Sequence, residues 1–165
     1  MLKVGDVSPN FTLLDQNNKS HSLSDYYDNW LLLYFYPKDN TEGCIKEACA
    51  LRDDFYGFSA RSGSPSGRKK FPIEIVGVSV DSVLSHKKFA EQYKLPFTLL
   101  ADEKKEVVKL YGVWGKKKFM GREYNGIFRT SFLINPKGLI EKIYQNVKPA
   151  EHSSEVLGYL KGLAV

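Results

Sequence analysis

Residues 37–49 read Pro-Lys-Asp-Asn-Thr-Glu-Gly-Cys-Ile-Lys-Glu-Ala-Cys and contain both cysteines of the chain. The residues before them, 30–36, form the apolar run Trp-Leu-Leu-Leu-Tyr-Phe-Tyr, which is typical of a buried strand. The turn-forming residues of 37–40 end this strand pattern. Apolar side chains then recur at helical spacing from Cys44 to Phe58. The stretch therefore predicts a strand, a loop and a helix, with Cys44 in or just before the first helical turn.

This position favours a reactive cysteine. The first N–H groups of a helix have no partner within it and favour an anion such as a thiolate, which is the nucleophilic form of cysteine. Thr41 lies where a helix cap belongs and can donate or accept a hydrogen bond at the same place, while Pro37 can fix the loop and shield the sulfur. The alternative is that Cys44 and Cys49 are buried small hydrophobic residues, as most free cysteines are.

Length and composition indicate one globular domain over residues 1–165. The chain is 42% hydrophobic and 26% charged, which is ordinary for a soluble protein, and no apolar run is long enough to span a membrane. The N-terminus lacks an apolar signal core, so we expect a cytoplasmic protein. Two cysteines in a reducing compartment are better suited to catalysis or redox sensing than to a structural bridge.

The charge of +5 is concentrated in two basic runs, residues 68–70 and 116–118. Either run could contact nucleic acid, but no nucleic-acid motif accompanies them, and a solvated surface is the better interpretation. The three histidines, His21, His86 and His152, are far from the cysteines in sequence and have no zinc-site spacing. We expect neither a metal ion nor a cofactor.

The remaining pattern predicts an α/β protein. We expect a hairpin over residues 7–24, strands at 73–80 and 96–100, helices at 83–93, 103–111 and 151–162, and a second hairpin over 129–144. Leu84, Phe89 and Tyr93 contribute the apolar positions by which the second helix is expected to pack, and Val107, Leu110 and Tyr111 are expected to point inward from the third. Residues 59–70 and 112–126 are expected to be loops, the first of them mobile.

This order of elements favours a mixed sheet with helices on both faces and an N-terminal β-hairpin. A strand followed by a redox cysteine at a helix N-terminus is the thioredoxin-like arrangement. The cysteine spacing differs from the Cys-x-x-Cys of thioredoxins, because four residues separate Cys44 from Cys49.

The sequence resembles the peroxiredoxin family, and within it the bacterioferritin-comigratory-protein or PrxQ branch. The resemblance begins at residues 34–41, continues through Gly43-Cys44 and Glu47-Ala48-Cys49, and resumes at 77–82, 97–102, 111–115, 119–122 and 126–134. It covers nearly the whole chain in order, and its Pro-x-x-x-Thr-x-x-Cys core is specific.

The resemblance implies a role for each matching residue. Cys44 corresponds to the peroxidatic cysteine and Cys49 to the resolving cysteine of this branch. Thr41 and Pro37 correspond to loop residues that surround the peroxidatic cysteine, and Gly43 lies beside them. Arg129 corresponds to the distant arginine of the family, and Glu47 to an acid that helps to orient it.

The implied activity is thiol-dependent reduction of hydrogen peroxide and organic hydroperoxides. Cys44 would become a sulfenic acid, Cys49 would convert it to an intramolecular disulfide, and a thioredoxin-like dithiol would restore both thiols. On an intact helix, however, Cα atoms five residues apart are separated by roughly 8.6 Å. A disulfide needs about 7 Å or less. We therefore expect the helix to unwind when the disulfide forms.

The chain departs from the family pattern in two places. Glu42 stands where many relatives have proline, and we expect its carboxylate to face solvent. The loop over residues 59–70 is longer than usual and bears on partner docking. Two alternatives to a peroxidase are a disulfide oxidoreductase or copper chaperone of the thioredoxin superfamily, and a basic nucleic-acid-associated protein. Branch members are often monomers, and we expect the same here.

Overall fold

A computed structural model of the chain describes residues 1–56, 58–59, 64–65 and 73–163. The mobile loop expected over residues 59–70 lies outside the described residues, apart from positions 59, 64 and 65. Those positions belong to a short antiparallel strand pair.

The central element is a seven-stranded mixed sheet in the order β11-β10-β3-β6-β7-β1-β2. The strands in chain order are β1 Thr12–Asp15, β2 Ser20–Ser22, β3 Trp30–Phe35, β4 Phe58–Ser59, β5 Ser64–Pro65, β6 Ile73–Ser79, β7 Thr98–Ala101, β8 Trp114–Phe119, β9 Arg122–Ile127, β10 Thr130–Ile134 and β11 Ile140–Tyr144. Strands β3, β6 and β7 are parallel, so their carboxyl ends share one edge of the sheet. The N-terminal hairpin β1–β2 joins the sheet through antiparallel pairing of β1 with β7.

Helices cover both faces of the sheet, as predicted. The helices are α1 Glu42–Phe55, α2 Val83–Tyr93, α3 Glu106–Leu110 and α4 His152–Gly162, with a 3-10 turn at Leu23–Tyr26. Alternate side chains of β3 point to opposite faces. Leu32 and Tyr34 pack in one buried cluster with residues of α1, α2 and α4, whereas Leu33 and Phe35 pack in a second cluster with α3. Within the described ranges, no helix is long and apolar enough to cross a membrane.

The prediction of a loop over residues 112–126 is wrong, because β8 and β9 pair there as an antiparallel hairpin. Met120 and Gly121, both with positive φ, form its two-residue turn, and this left-handed geometry suits glycine. Most side chains of the hairpin are exposed, so its strands lack the alternation of apolar and polar residues that identifies a half-buried strand. Backbone pairing holds it together instead.

The prediction that Leu84 and Leu110 pack into the core is also wrong. Leu84 in α2 is 61% exposed and Leu110 in α3 is 50% exposed. In α2 the buried positions are His86, Phe89 and Ala90. Helix α3 begins three residues later than predicted, because Lys105 before it has a left-handed backbone with φ of 62°. Ser82 caps α2, because its hydroxyl accepts a hydrogen bond from the Ser85 N–H at 3.1 Å.

Candidate active site

Cys44 is the third residue of α1, in the first helical turn as predicted. Strand β3 ends at Phe35, a loop spans residues 36–41, and the first helical hydrogen bond runs from the Ile45 N–H to the Thr41 carbonyl at 2.9 Å. The Cys44 side chain is 1% exposed and belongs to the core cluster on this face of the sheet. The fold therefore places one buried thiol among the unpaired N–H groups of a helix N-terminus.

Arg129 reaches this thiol from the neighbouring strand. It directly precedes β10, which pairs with β3 so that Thr130 lies opposite Phe35. Its Nη2 donates to Cys44 Sγ at 3.5 Å, and its Nη1 donates to Glu47 Oε1 at 2.9 Å. A Cβ atom at Gly43 would lie 3.1 Å from Nη2, so glycine leaves room for the guanidinium. Residues far apart in sequence thus form a Cys–Arg–Glu cluster.

Glu47 is the buried carboxyl group of this cluster, with 0% of its side chain exposed. Burial raises its pKa from an ordinary 4.5 to about 7, although the charge of Arg129 and its hydrogen bond act in the opposite direction. Its second oxygen, Oε2, has no hydrogen-bond partner among the described residues. Burial lowers the pKa of Arg129, but the negative charges of Glu47 and Cys44 outweigh burial, and its pKa is raised overall. Arg129 is therefore a permanent cation beside the sulfur.

Replacing Glu47 with glutamine should change how stability depends on pH. Between about pH 4.5 and 7 the folded protein binds a proton at Glu47 that the unfolded chain has lost, so this residue makes the free energy of unfolding fall as the pH rises. The effect can reach about 3 kcal/mol, at 1.4 kcal/mol per pKa unit. Denaturant unfolding of reduced wild type and Glu47→Gln across this range measures it.

The quantity to compare is the wild-type free energy of unfolding minus that of the variant. It should decrease from pH 4.5 to 7 and stay level above. A difference that instead stays nearly level above about pH 5 would show that Arg129 dominates and that Glu47 is ionised throughout.

The prediction that the Thr41 side chain caps the helix is wrong. The residue occupies the cap position with an extended backbone, but its hydroxyl makes no capping bond and donates to the Lys38 carbonyl at 2.9 Å. Its oxygen lone pairs remain available to accept a hydrogen bond.

Glu42 faces solvent, as expected, and pairs with Lys46 at 3.1 Å. Pro37 is partly buried at the start of the loop.

Cys49 lies two residues after Glu47 in the same unbroken helix, and both cysteines are free thiols. Burial raises the pKa of the Cys49 thiol, and Asp53 adds to this, whereas Arg52 opposes it. Cys49 is therefore a poor nucleophile while α1 is intact.

The hairpin β8–β9 brings Lys117 to the cluster, although the sequence analysis assigned residues 116–118 to a solvated surface. Burial and the neighbouring charge of Arg129 lower the pKa of Lys117, while the charge of Cys44 acts in the opposite direction. Its Nζ donates to the Ile127 carbonyl at 2.9 Å. Nothing in the local pattern separates Lys117 from the lysines on either side, so only the pairing of the hairpin identifies it.

A second polar cluster lies under the loop before Cys44. Asp39, Asp81 and His86 form the one group within the described ranges whose potential metal-ligand atoms all lie within 4.8 Å of one another. Hydrogen bonds already occupy the carboxylate of Asp39 and both ring nitrogens of His86. Along the chain His86 is remote from both cysteines, and no local pattern links it to them. The fold brings it against the loop that leads to Cys44.

The chain was compared with known proteins. Residues 4–143 match the model of the AhpC/TSA family. The chain is 41% identical to peroxiredoxin Bcp of Escherichia coli strain K12 over 160 residues, which cover 97% of this chain and 96% of that protein.

Two solved structures are also similar. One is a cysteine-to-serine mutant of PrxQ from Xylella fastidiosa, with a TM-score of 0.86 and 32% identity over 100% of this chain and 99% of that chain. The other is the bacterioferritin comigratory protein of Xanthomonas campestris, described for its alkyl peroxide reduction activity. It has a TM-score of 0.78 and 29% identity, covering 94% of this chain and 92% of that chain.

Proposed function

This chain belongs to the AhpC/TSA family, in the Bcp and PrxQ group of peroxiredoxins, and we propose that it is a thiol-dependent peroxidase with its reaction centre at Cys44. The observation that carries this assignment is the guanidinium of Arg129, which touches Cys44 Sγ at 3.5 Å at the N-terminus of α1. A fixed cation and free backbone N–H groups together stabilise a thiolate and polarise a bound peroxide.

In the first step the Cys44 thiolate attacks one oxygen of the hydroperoxide. The S–O bond forms as the O–O bond breaks, and the leaving oxygen takes up a proton and departs as water or an alcohol. Cys44 is thereby oxidised to a sulfenic acid. The negative charge that develops on the leaving oxygen lies close to Arg129, whose forked donors suit two acceptors at once. The Thr41 hydroxyl, which already donates to the Lys38 carbonyl, can accept a hydrogen bond from the O–H of the hydroperoxide.

In the second step the Cys49 thiolate attacks the sulfenic sulfur, an S–S bond forms as the S–O bond breaks, and the leaving hydroxide takes up a proton from solvent to become water. A dithiol reductant then returns two electrons and restores both thiols. We propose a thioredoxin-like protein as this reductant, and hydrogen peroxide and organic hydroperoxides as substrates. We also propose a monomeric, single-domain enzyme of the cytoplasm.

The direct test is consumption of hydrogen peroxide and of an alkyl hydroperoxide by the reduced protein, with a thioredoxin system in excess. Sustained turnover of both supports the proposal. Disulfide exchange with the reductant in the absence of any peroxide consumption would instead indicate a disulfide oxidoreductase.

Disulfide formation should unwind the first turns of α1. The two cysteines lie on different faces of one helix, with Cα atoms roughly 8.6 Å apart in ideal geometry, beyond the reach of a disulfide. Unwinding would also release Cys49 from the burial that raises its pKa. We expect strong amide-exchange protection of residues 45–50 in the reduced protein and a loss of at least about 10-fold after oxidation.

A Cys49→Ser variant treated with the same peroxide provides the control, because it cannot form the intramolecular bond and should keep its protection. Equal, strong protection of residues 45–50 in the reduced and fully disulfide-bonded proteins would refute the unwinding step.

A further inference from the structure

We propose that His86 and Asp39 are positioning residues for the reaction at Cys44, an inference that rests on the proposed peroxidase function. They form a buried pair that ties the loop of residues 36–41 to strands β6 and β7 and to helix α2. Through this loop they set where α1 begins, and hence where the Cys44 sulfur lies relative to Arg129.

Asp39 is the buried residue of an otherwise exposed segment. It is 6% exposed, whereas Lys38, Asn40 and Thr41 on either side of it are all exposed. Its Oδ1 accepts from the Tyr36 hydroxyl at 2.6 Å, and its Oδ2 accepts from the Ser85 hydroxyl at 2.8 Å. The loop is thus attached to the protein interior through this one carboxylate.

The main-chain N–H of Asp39 is also held. It donates to Asp81 Oδ2 at 2.8 Å, and that oxygen also accepts from the Ser79 hydroxyl at 2.6 Å. Ser79 is the last residue of β6, so the loop is fixed to the carboxyl end of a central strand. Asp39 therefore has both its side chain and its backbone anchored five residues before Cys44.

His86 provides a further attachment to the same carboxylate. Its Nε2 lies 2.9 Å from the Leu100 carbonyl, and because a carbonyl can only accept, Nε2 carries a proton. Its Nδ1 lies 2.7 Å from Asp39 Oδ2, a contact that also needs a proton between the two atoms. The pair therefore holds one proton more than a neutral imidazole with an ionised carboxylate.

With this proton, the contact is a hydrogen bond either from an imidazolium to a carboxylate or from a carboxylic acid to an imidazole. Both side chains are buried, with 0% of His86 and 4% of Asp39 exposed. Removing the His86 donor leaves a buried carboxylate short of one partner, which favours movement of Asp39 toward solvent. The loop would move with it. A shift of about 1 Å in a reacting group can lower a rate about 100-fold, so Cys44 chemistry should respond.

Two substitutions of His86 separate positioning from general stability. In His86→Asn the amide nitrogen replaces Nδ1 and keeps the donor to Asp39, whereas in His86→Gln it replaces Nε2 and keeps only the donor to Leu100. Both variants lose one buried hydrogen bond and should lose similar thermal stability. We expect the single-turnover rate of Cys44 with hydrogen peroxide to fall about 10- to 100-fold in His86→Gln and to stay within about 3-fold in His86→Asn.

The chain offers a matched control in a second histidine–aspartate pair. His21 Nε2 lies 2.6 Å from Asp15 Oδ2 in the β1–β2 hairpin, at the opposite side of the sheet from β10. His21→Asn, which removes the Nε2 donor to Asp15, should leave the peroxide step unchanged, which also shows that the proposed function itself holds. The rate at which dithiothreitol reduces the disulfide should be the same in wild type and all three variants.

The proposal is overturned if His86→Gln reacts with peroxide within 2-fold of wild type, or if His86→Asn is slowed equally. Should His86→Gln fail to fold, Ser85→Ala removes a milder donor to the same carboxylate. We then expect a rate about 3-fold lower, with faster amide exchange at residues 38–46. An unchanged rate in folded Ser85→Ala would refute the positioning role.

Discussion

Cys44→Ser should reduce peroxidase turnover by at least about 10³-fold, because it removes the nucleophile on which the whole cycle depends. The fold should survive. Serine is nearly the same size as cysteine, and the buried hydroxyl lies beside the Arg129 guanidinium, so we expect a stability loss of no more than about 2 kcal/mol. Peroxide consumption with excess dithiol measures activity, and thermal unfolding measures stability.

Cys49→Ser is the matched control for this experiment. It retains Cys44, and a single equivalent of peroxide should still be consumed at the wild-type rate. Only the formation of the intramolecular disulfide is lost. If Cys44→Ser kept more than a small fraction of turnover, or if Cys49→Ser alone abolished the first peroxide step, the assignment of the nucleophile would be wrong.

Arg129→Lys should slow the peroxide-dependent step about 100-fold and leave the reductant step within about 3-fold of wild type. The two ends of the guanidinium bind Glu47 and Cys44 at the same time, at 2.9 and 3.5 Å. A lysine ammonium is a single point charge and cannot span both. Loss of one donor that stabilises developing negative charge typically costs about 10²- to 10³-fold in rate. Rapid-mixing kinetics separate the two steps.

Arg122→Lys is the appropriate comparison, because Arg122 is exposed on β9 and the substitution keeps the net charge. It should behave as wild type in both steps. An unchanged peroxide step in Arg129→Lys would remove Arg129 from the reaction centre and leave the helix N-terminus as the main source of stabilisation.

The thioredoxin-like framework could be predicted because its signals are local. The continuous apolar run of β3 identifies a strand buried on both faces, and the turn-forming residues after it end that strand. Helical spacing after Gly43 then places Cys44 in a first helical turn. These features depend on neighbours in sequence, so their prediction did not need the rest of the fold.

The errors arose where side chains carry little pattern. The β8–β9 hairpin is mostly exposed on both faces, and its lysine run was interpreted as a loop. Leu84 and Leu110 follow helical spacing but face solvent, because the elements that could cover them lie elsewhere in the fold. Thr41 stands at the cap position, yet the loop geometry directs its hydroxyl to Lys38.

By itself the sequence determined the strand–loop–helix unit, the place of Cys44 within it and the mixed α/β sheet, since backbone propensity and hydrophobic periodicity act over a few residues. Which distant groups surround that thiol depends on how the strands pair in the folded protein. Antiparallel pairing of β10 with β3 brings Arg129 to Cys44, and the parallel order of β3, β6 and β7 brings His86 to Asp39. Strand register and burial fix such contacts between residues far apart along the chain, and no short-range pattern records them.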